Sequence, residues 1–167
     1  MTHSNRAAAA FAAALAFAAP GIAAAQRVDA VSEEQDRAAI QQLMWNYARA
    51  IDTWNADAYV AVFTPDGSFG NVKGREALRK MVVDAAKSSA DRAPDKKPAL
   101  LHHMEGNQYI EFVDRDHARV HYYWITVSGA GPQPPLPTVL AVGNGLDNVV
   151  RVNGKWLIQS RQVVAKE

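Results

Sequence analysis

Three kinds of side chain in this sequence can transfer a proton without a cofactor. Asp52 and Tyr47 lie on one segment with helical periodicity, and Asp52 stands near its end. Much further along the chain, His102-His103 opens a predicted strand. Only one of these two imidazoles can face a given side, because neighbouring strand residues point in opposite directions. A carboxylate, an imidazole and a phenol around one pocket have the chemistry of general acid–base catalysis.

Each of these side chains also has a purely structural interpretation. Asp52 lies at the edge of an apolar stripe, and apolar neighbours disfavour the charged form of a carboxylate, which suits proton transfer. An aspartate at a helix end can equally cap the following turn. A strand histidine can simply bond to the backbone. Tyr47 can be a donor to a developing oxyanion or a core residue, and the residues alone leave these alternatives open.

Aromatic residues are available to line a pocket around such groups. Within one predicted strand, alternation places Tyr122 and Trp124 on one face, and His121 and Tyr123 on the other. Many aromatic residues in strands are simply core, so each contact with a ligand is a hypothesis. We predict contact with substrate for Trp54, Phe69, Tyr122, Trp124 and Asn144.

Two glycines on the following strand share a face. Gly143 and Gly145 lie two residues apart and leave two side-chain positions empty. Glycine inside a strand marks a bulge or the close approach of another group. The pair therefore either widens the pocket for a bulky substrate or bends the sheet.

Metal, nucleotide and covalent chemistry find no support in the sequence. His117 and His121 are spaced for chelation on a helix but lie on a predicted strand, and no His-Glu-x-x-His pattern occurs. Gly143-Asn144-Gly145 lacks the third glycine and the following helix of a dinucleotide-binding loop. No serine has a nucleophile-elbow context, and the chain contains no cysteine. We predict neither a metal nor a cofactor.

The composition indicates one nearly neutral domain. The 167 residues carry 18 Lys+Arg and 17 Asp+Glu, a balance that gives no reason to propose nucleic acid or an anionic membrane as a partner. A chain of this length can bury one core and one pocket.

The N-terminus has the three-part layout of a secretory signal peptide. Arg6 precedes an apolar run from residue 7 to residue 19, and Ala23-Ala24-Ala25 supplies small residues before Gln26. The run is too short to span a bilayer as a helix. A disordered alanine-rich tail or a short anchor is the alternative. We predict a signal peptide over residues 1–25, export to the periplasm, and a single domain over residues 26–167 with no membrane anchor after processing.

Helices come first in the predicted order of elements. Periodic apolar residues predict a helix over 33–52, and Asn55 can cap a second short helix. Residues 64–67 have the composition of a turn, and a short strand over 68–72 and a helix over 75–86 follow. Residues 88–98 are polar and contain proline, which favours a loop.

Strands fill the rest of the chain. From Leu100 onward the apolar period changes to two, and Asn153-Gly154 joins the last two strands in a hairpin. Helices followed by antiparallel strands predict an α+β domain with the helices packed on one face of the sheet.

Several short motifs in this order resemble a known family. They are Tyr47 with Asp52, Phe63-Thr64-Pro65-Asp66-Gly67, Gly74-Arg75, His102-His103 with Asn107, and the series Asp147, Arg151, Trp156 and Arg161. Because these motifs occur together and in this order, the chain from Glu33 to Val164 resembles the SnoaL-like group of the nuclear transport factor 2-like (NTF2-like) superfamily. The resemblance implies a cone-shaped α+β barrel, in which a strongly curved antiparallel sheet wraps the N-terminal helices around a deep pocket.

The resemblance also carries expectations about the site. It places Asp52 at the pocket, and its motif favours His103 over His102 as the pocket-facing imidazole. The superfamily includes polyketide cyclases, scytalone dehydratase, ketosteroid isomerase and cofactor-free lyases of lignin-derived aromatic molecules, but also pure binding modules. The fold alone therefore does not decide activity.

We accordingly predict a cofactor-independent lyase, dehydratase or isomerase acting on a small hydrophobic, aromatic molecule. Asp52 and His103 would move the proton, and Tyr47 would polarise an oxygen. The alternatives are a non-catalytic periplasmic protein that binds a hydrophobic ligand, and an oligomerisation module. The outer face of such a sheet exposes apolar side chains, which together with the resemblance predicts a homodimer or homotrimer.

Overall fold

The computed structural model describes residues 20–129 and 136–164. Contacts group residues 1–34 apart from residues 35–167, and the sheet, the core and the candidate site all lie in the second group. The elements in chain order are α1 (Pro20–Asp52), α2 (Ala56–Ala61), β1 (Phe63–Phe69), β2 (Val72–Lys73), α3 (Arg75–Arg92), β3 (Leu100–Phe112), β4 (His117–Gly129), β5 (Thr138–Val152) and β6 (Lys155–Val164).

The described strands form one curved sheet in the order β2-β1-β6-β5-β4-β3. β3 to β6 pair antiparallel with their neighbours, whereas β1 runs parallel to β6. The sheet stays unclosed, with β2 and β3 at its edges. Asn153 and Gly154 both have positive φ, as the predicted hairpin turn requires. The α+β class with helices packed on the sheet is confirmed.

A single core joins the helices to the inner face of the sheet. The predicted apolar stripe of α1 is buried at Ile40, Leu43, Met44 and Tyr47. The core cluster also contains Tyr59, Val60, Val62, Phe63, Leu78, Val82, Ile110, Ala118, Val120, Tyr122, Val149, Trp156 and Ile158. The register of β3 shifts between Gly106 and Tyr109, and such an irregularity bends a strand.

Two predicted boundaries are wrong in the N-terminal half. α1 begins at Pro20 rather than at Glu33, since the alanine-rich residues before position 33 are strong helix formers. The predicted signal peptide lies largely outside the described residues, because residues 1–19 are not among them. The turn predicted over residues 64–67 belongs to β1, where a register shift against β6 accommodates Pro65.

The end predicted for the third helix is also wrong. α3 continues to Arg92, beyond the expected end at Ala86. Its last turns are polar because they face solvent, and they are supported by Lys87 Nζ bonded to Asp91 and by Arg92 Nη1 bonded to Ser88 one turn apart. None of the described helices combines the length and hydropathy that crossing a bilayer requires.

The structure gives Gly145 a different role from the two that the sequence suggests. The ring of the buried Tyr122 lies over Gly145 from the neighbouring strand, and a Cβ at position 145 would stand 2.1 Å from Tyr122 Cζ. The missing side chain is thus replaced by an aromatic ring and not by open space for substrate.

We expect Gly145→Ala to lower the free energy of unfolding by about 1–3 kcal/mol, the usual cost of overpacking a core. Tyr122 cannot move away easily because its hydroxyl donates to Asp147 Oδ1 at 3.0 Å. Urea denaturation checks this result. Gly106→Ala on β3 is the control, since its Cβ would have no neighbour within 4 Å; an equal loss in both variants would contradict the explanation.

Candidate active site

A cavity of about 260 Å³ opens on the inner face of the sheet beside α1. Most of its lining is apolar and partly aromatic, and its polar groups come from α1, β3, β4 and β6. The lining residues are Tyr47, Phe69, His103, Glu105, Trp124, Thr126, Leu140, Ala141, Arg161 and Val163. A cavity of this size suits a small molecule with a large apolar surface.

Asp52 and His103 meet at one edge of this cavity. Asp52 ends α1, and His103 stands near the start of β3. Asp52 Oδ1 lies 2.7 Å from His103 Nδ1 and accepts the backbone N–H of His103 at 3.0 Å. The Asp52 side chain is 7% exposed and that of His103 is 21% exposed. Of the two residues, His103 lines the cavity and Asp52 stands behind it.

This contact determines which nitrogen of His103 can act as a base. A carboxylate only accepts hydrogen bonds, so Nδ1 of His103 must carry the proton in the bond to Asp52. In the neutral ring, Nε2 then holds the lone pair. The imidazole therefore reaches the cavity in a single tautomer, oriented by a carboxylate that does not line the cavity. His102 alternates with His103 along β3 and is exposed.

Tyr47 is buried and lines the same cavity. The guanidinium of Arg161 lies 3.6 Å from the centroid of its ring, and the ring also packs against Tyr59 and Phe63. Burial raises the pKa of Tyr47, although Arg161 opposes the effect. The phenol consequently stays protonated and can donate a hydrogen bond. Its hydroxyl shares a hydrogen bond with Tyr59.

Two of the five residues predicted to contact substrate line the cavity. Phe69 reaches it from the end of β1, and Trp124 reaches it from β4. Trp124 is held in place because its Nε1–H donates to the backbone oxygen of Asn144 at 3.1 Å. Aromatic contact with a ligand is therefore available from two directions.

The other three predicted contacts do not line this cavity. Trp54 turns away, and its Nε1–H donates to the backbone oxygen of Ala99 at 2.9 Å. Tyr122 faces inward but is buried in the core over Gly145. Asn144 pairs with Tyr123 in the sheet register and so shares the outward-facing side of the strands.

A buried ionic cluster that the sequence analysis did not single out adjoins the cavity. Arg161 Nη1 donates to Asp147 Oδ2 at 2.6 Å, and Nη2 is paired with Glu105 Oε1. All three side chains are at most 5% exposed. Glu105 could have been found from the sequence, because it lies two residues beyond His103 and must share its face. Asp147 and Arg161 belong to the motif series that carries the family resemblance, but their alternation is that of any strand and does not indicate a buried ion pair.

The cluster holds two carboxylates against one guanidinium. Burial raises the pKa of Asp147 to about 7; Arg161 opposes this, and the neighbouring Glu105 adds to it. Tyr122 donates to Asp147 from β4, and Tyr47 covers Arg161 from α1. Near neutral pH the cluster therefore exchanges a proton.

We expect this proton to appear in the pH dependence of stability. Asp147 ionises at its ordinary value of 3.8 when unfolded and at about 7 when folded. Between these values the folded state binds the extra proton, so raising the pH from 4 to 7 should destabilise the wild type relative to Asp147→Asn. Above pH 7 the difference should be constant. Urea denaturation from pH 4.5 to 8 measures this difference in the free energy of unfolding. If the difference between the two proteins is the same at every pH, the raised pKa of Asp147 is contradicted.

No group of three or more His, Cys, Asp or Glu side chains that could hold a metal ion occurs within residues 20–129 and 136–164. The cavity lining includes the polar side chains of Tyr47, His103, Glu105, Thr126 and Arg161.

Comparison with known proteins now identifies the family. Residues 32–162 match the family described as the SnoaL-like domain. The chain belongs to this family. The matched range contains every lining residue of the cavity except Val163, and it confirms the resemblance inferred from the ordered motifs. No curated protein matches the sequence of this SnoaL-like chain.

Solved structures support the same fold for this SnoaL-like protein. A candidate scytalone dehydratase from Novosphingobium aromaticivorans is 21% identical, with a TM-score of 0.62 over 80% of this chain and 86% of that one. An NTF2-like protein with a cystatin-like fold from the same organism is 18% identical, with a TM-score of 0.61 over 85% and 86%. A protein of unknown function from Mycobacterium tuberculosis is 23% identical, with a TM-score of 0.64 over 77% and 75%.

Proposed function

We propose that this SnoaL-like protein is a cofactor-independent enzyme that removes and returns a proton on a small aromatic molecule, as a lyase, a dehydratase or an isomerase. The observation that carries the proposal is the Asp52–His103 pair at the edge of an otherwise largely apolar cavity. A binding module has no need of an imidazole that a buried carboxylate holds in one tautomer. The name of one structural relative, a candidate scytalone dehydratase, is consistent with this reaction class.

His103 has the central role in this mechanism. Its Nε2 takes a proton from a carbon next to a carbonyl group, and the negative charge of Asp52 stabilises the imidazolium that forms. The electrons of the broken C–H bond move onto the carbonyl oxygen. Tyr47, which is protonated and lines the cavity, donates a hydrogen bond to that oxygen. Return of the proton to another carbon completes an isomerisation, whereas its transfer to a departing hydroxyl completes a dehydration.

Asp52 has a narrower role here than the sequence analysis suggested. It makes two hydrogen bonds to His103 but does not line the cavity. We therefore infer that Asp52 orients the imidazole and stabilises its positive charge. The proton itself moves between His103 and the substrate. Phe69 and Trp124 supply flat apolar surfaces for an aromatic ring.

Proton abstraction can be tested before the natural substrate is known. 2-Tetralone has acidic C–H bonds beside its carbonyl group and a size that suits the cavity. In D2O the wild-type protein should speed deuterium incorporation at these carbons above the buffer rate, as measured by NMR, and EDTA should leave the acceleration unchanged. If incorporation proceeds at the buffer rate, the enzyme proposal fails and the binding-module alternative replaces it.

We also propose that the outer face of the sheet joins two or three copies of this chain. Met104, Ile125 and Val142 align across β3, β4 and β5, and Tyr123 and Val142 are 58% and 51% exposed. A contiguous apolar row of this kind is usually covered by a partner.

Light scattering should show a dimer or trimer at micromolar concentration, and Val142→Glu should shift it towards monomer. Val83→Glu is the control, because Val83 is 52% exposed on α3 instead of on the sheet. A wild-type monomer at this concentration would refute the proposal.

A further inference from the structure

The two carboxylate oxygens of Glu105 differ in their partners. Oε1 is paired with Arg161, whereas Oε2 is buried and receives no hydrogen bond from any residue in the described part of the chain. The side chain is 5% exposed and lines the cavity beside His103. Unpaired buried carboxylate oxygens are uncommon in folded proteins and often mark a functional position.

Glu105 cannot satisfy Oε2 by rotating, because its other oxygen is held by Arg161. That guanidinium is itself fixed by the 2.6 Å hydrogen bond to Asp147 and by the rings of Tyr47 and Tyr122, whose centroids lie 3.6 Å and 4.8 Å away. The carboxylate is consequently held in one orientation, and its free end is an unpaired acceptor on a residue that lines the cavity.

We propose that Glu105 determines substrate specificity by accepting, at Oε2, a hydrogen bond from a hydroxyl group of an aromatic ligand. This inference rests on the proposed function only for the assumption that the substrate occupies this cavity. It adds a chemical requirement that His103 does not impose: the substrate must carry a hydroxyl group that donates, and not merely an oxygen that accepts.

The register of the sheet fits such a ligand. His103 and Glu105 lie two residues apart on the same face of β3, so their Cα atoms are about 7 Å apart. Trp124 is paired with Glu105 on the neighbouring strand, and both line the cavity. A bicyclic aromatic molecule is about as long as this spacing, so it can lie against Trp124, direct its hydroxyl to Glu105 and present a ring carbon to His103.

Glu105→Gln reverses the hydrogen-bonding character of the site. Arg161 still needs an acceptor, so the amide oxygen should face Arg161 and the amide nitrogen should face the cavity. The cavity then presents a donor where the wild type presents an acceptor. Asp147→Asn is the matched control, because Asp147 is the other carboxylate partner of Arg161 but does not line the cavity.

The probes are 2-naphthol, which donates a hydrogen bond, and 2-methoxynaphthalene, which only accepts. Calorimetric titration gives the ratio of their affinities for each protein, and the difference in probe size cancels when ratios are compared between proteins. Glu105→Gln should lower the preference for 2-naphthol roughly 10- to 100-fold, the range for a hydrogen bond to a charged group. Asp147→Asn should change it by less than about threefold, within the error of such additivity.

An unchanged ratio in Glu105→Gln overturns the proposal, as does an equal fall in Asp147→Asn, which would mean that Glu105 acts only through Arg161. If Glu105→Gln does not fold, ligand binding by the wild-type protein alone tests the proposal. It must bind 2-naphthol at least about tenfold more tightly than naphthalene, and absent or equal binding overturns the inference.

These titrations require no turnover, so they separate the two proposals. A hydroxyl preference without deuterium exchange leaves a hydroxyl-selective binding protein, whereas exchange without the preference removes only the role of Glu105.

Discussion

His103→Asn is expected to lower the rate of deuterium exchange into 2-tetralone by about 10²–10⁴-fold, the usual contribution of a general acid–base group. Asparagine places an amide nitrogen near the position of Nδ1, so the hydrogen bond to Asp52, 2.7 Å long in the wild type, can persist. Nε2 is the atom that disappears. The variant should therefore remain folded, and binding of 2-tetralone should change far less than the exchange rate.

His102→Asn is the matched control for this experiment. His102 occupies the adjacent position on β3 but does not line the cavity, so its replacement should leave the rate within a few-fold of the wild type. Equal rates for wild type and a folded His103→Asn would show that His103 is a structural residue.

Asp52→Asn tests whether the two residues act as one unit. It removes the negative charge next to the imidazole without changing the shape of the side chain, so the turnover rate should fall while the KM stays close to that of the wild type. Combined with His103→Asn, it should add little further loss, because residues that act as a unit are not additive. Fully multiplicative effects would contradict the pairing.

Arg161→Met is expected to lower the free energy of unfolding by about 3–5 kcal/mol, the cost of breaking a buried ion pair from one side. The change leaves the carboxylates of Asp147 and Glu105 buried without their cation. Burial raises the pKa of Asp147 to about 7, and its protonation removes part of this charge, so the deficit should shrink as the pH falls from 7 to 5. Urea denaturation at both pH values measures the effect.

Arg79→Met is the control for the arginine cluster. Arg79 pairs with Asp57 at the surface, with the two side chains 44% and 78% exposed, and exposed pairs contribute at most about 1 kcal/mol. If Arg161→Met cost no more than this control, or if its deficit were independent of pH, the cluster would not have the charge arrangement described above.

Part of the fold could be predicted because its signals are local. The apolar stripe of α1, the change to a period of two at Leu100 and the Asn153-Gly154 turn each depend on residues within a few positions of one another. The predicted helix boundaries were wrong where the local composition does not distinguish a helix from a loop. The polar end of α3 looked like a loop because a solvent-exposed helix and a loop have similar composition.

The candidate site was predictable only in part, since its chemistry depends on contacts between distant segments. Periodicity placed Asp52 at the end of a helix, and the family resemblance favoured His103 on its strand. Their contact joins residues 51 positions apart, and it exists because α1 packs on the inner face of the sheet. Their catalytic role remains a prediction.

The amino-acid sequence by itself determined the α+β class, because helical and strand periodicities depend on neighbouring residues. The acid–base candidates followed from residue types and from the resemblance of the ordered motifs to the SnoaL-like family. Only the tertiary structure decided which of these groups share a cavity. In the folded chain, the ring of Tyr122 lies over Gly145. Trp54 and Asn144 point away from the cavity, and Glu105 is buried in contact with Arg161. Alternation assigns a strand residue to one of two faces, but packing against another element decides whether a charge on that face meets solvent, another charge or a ligand.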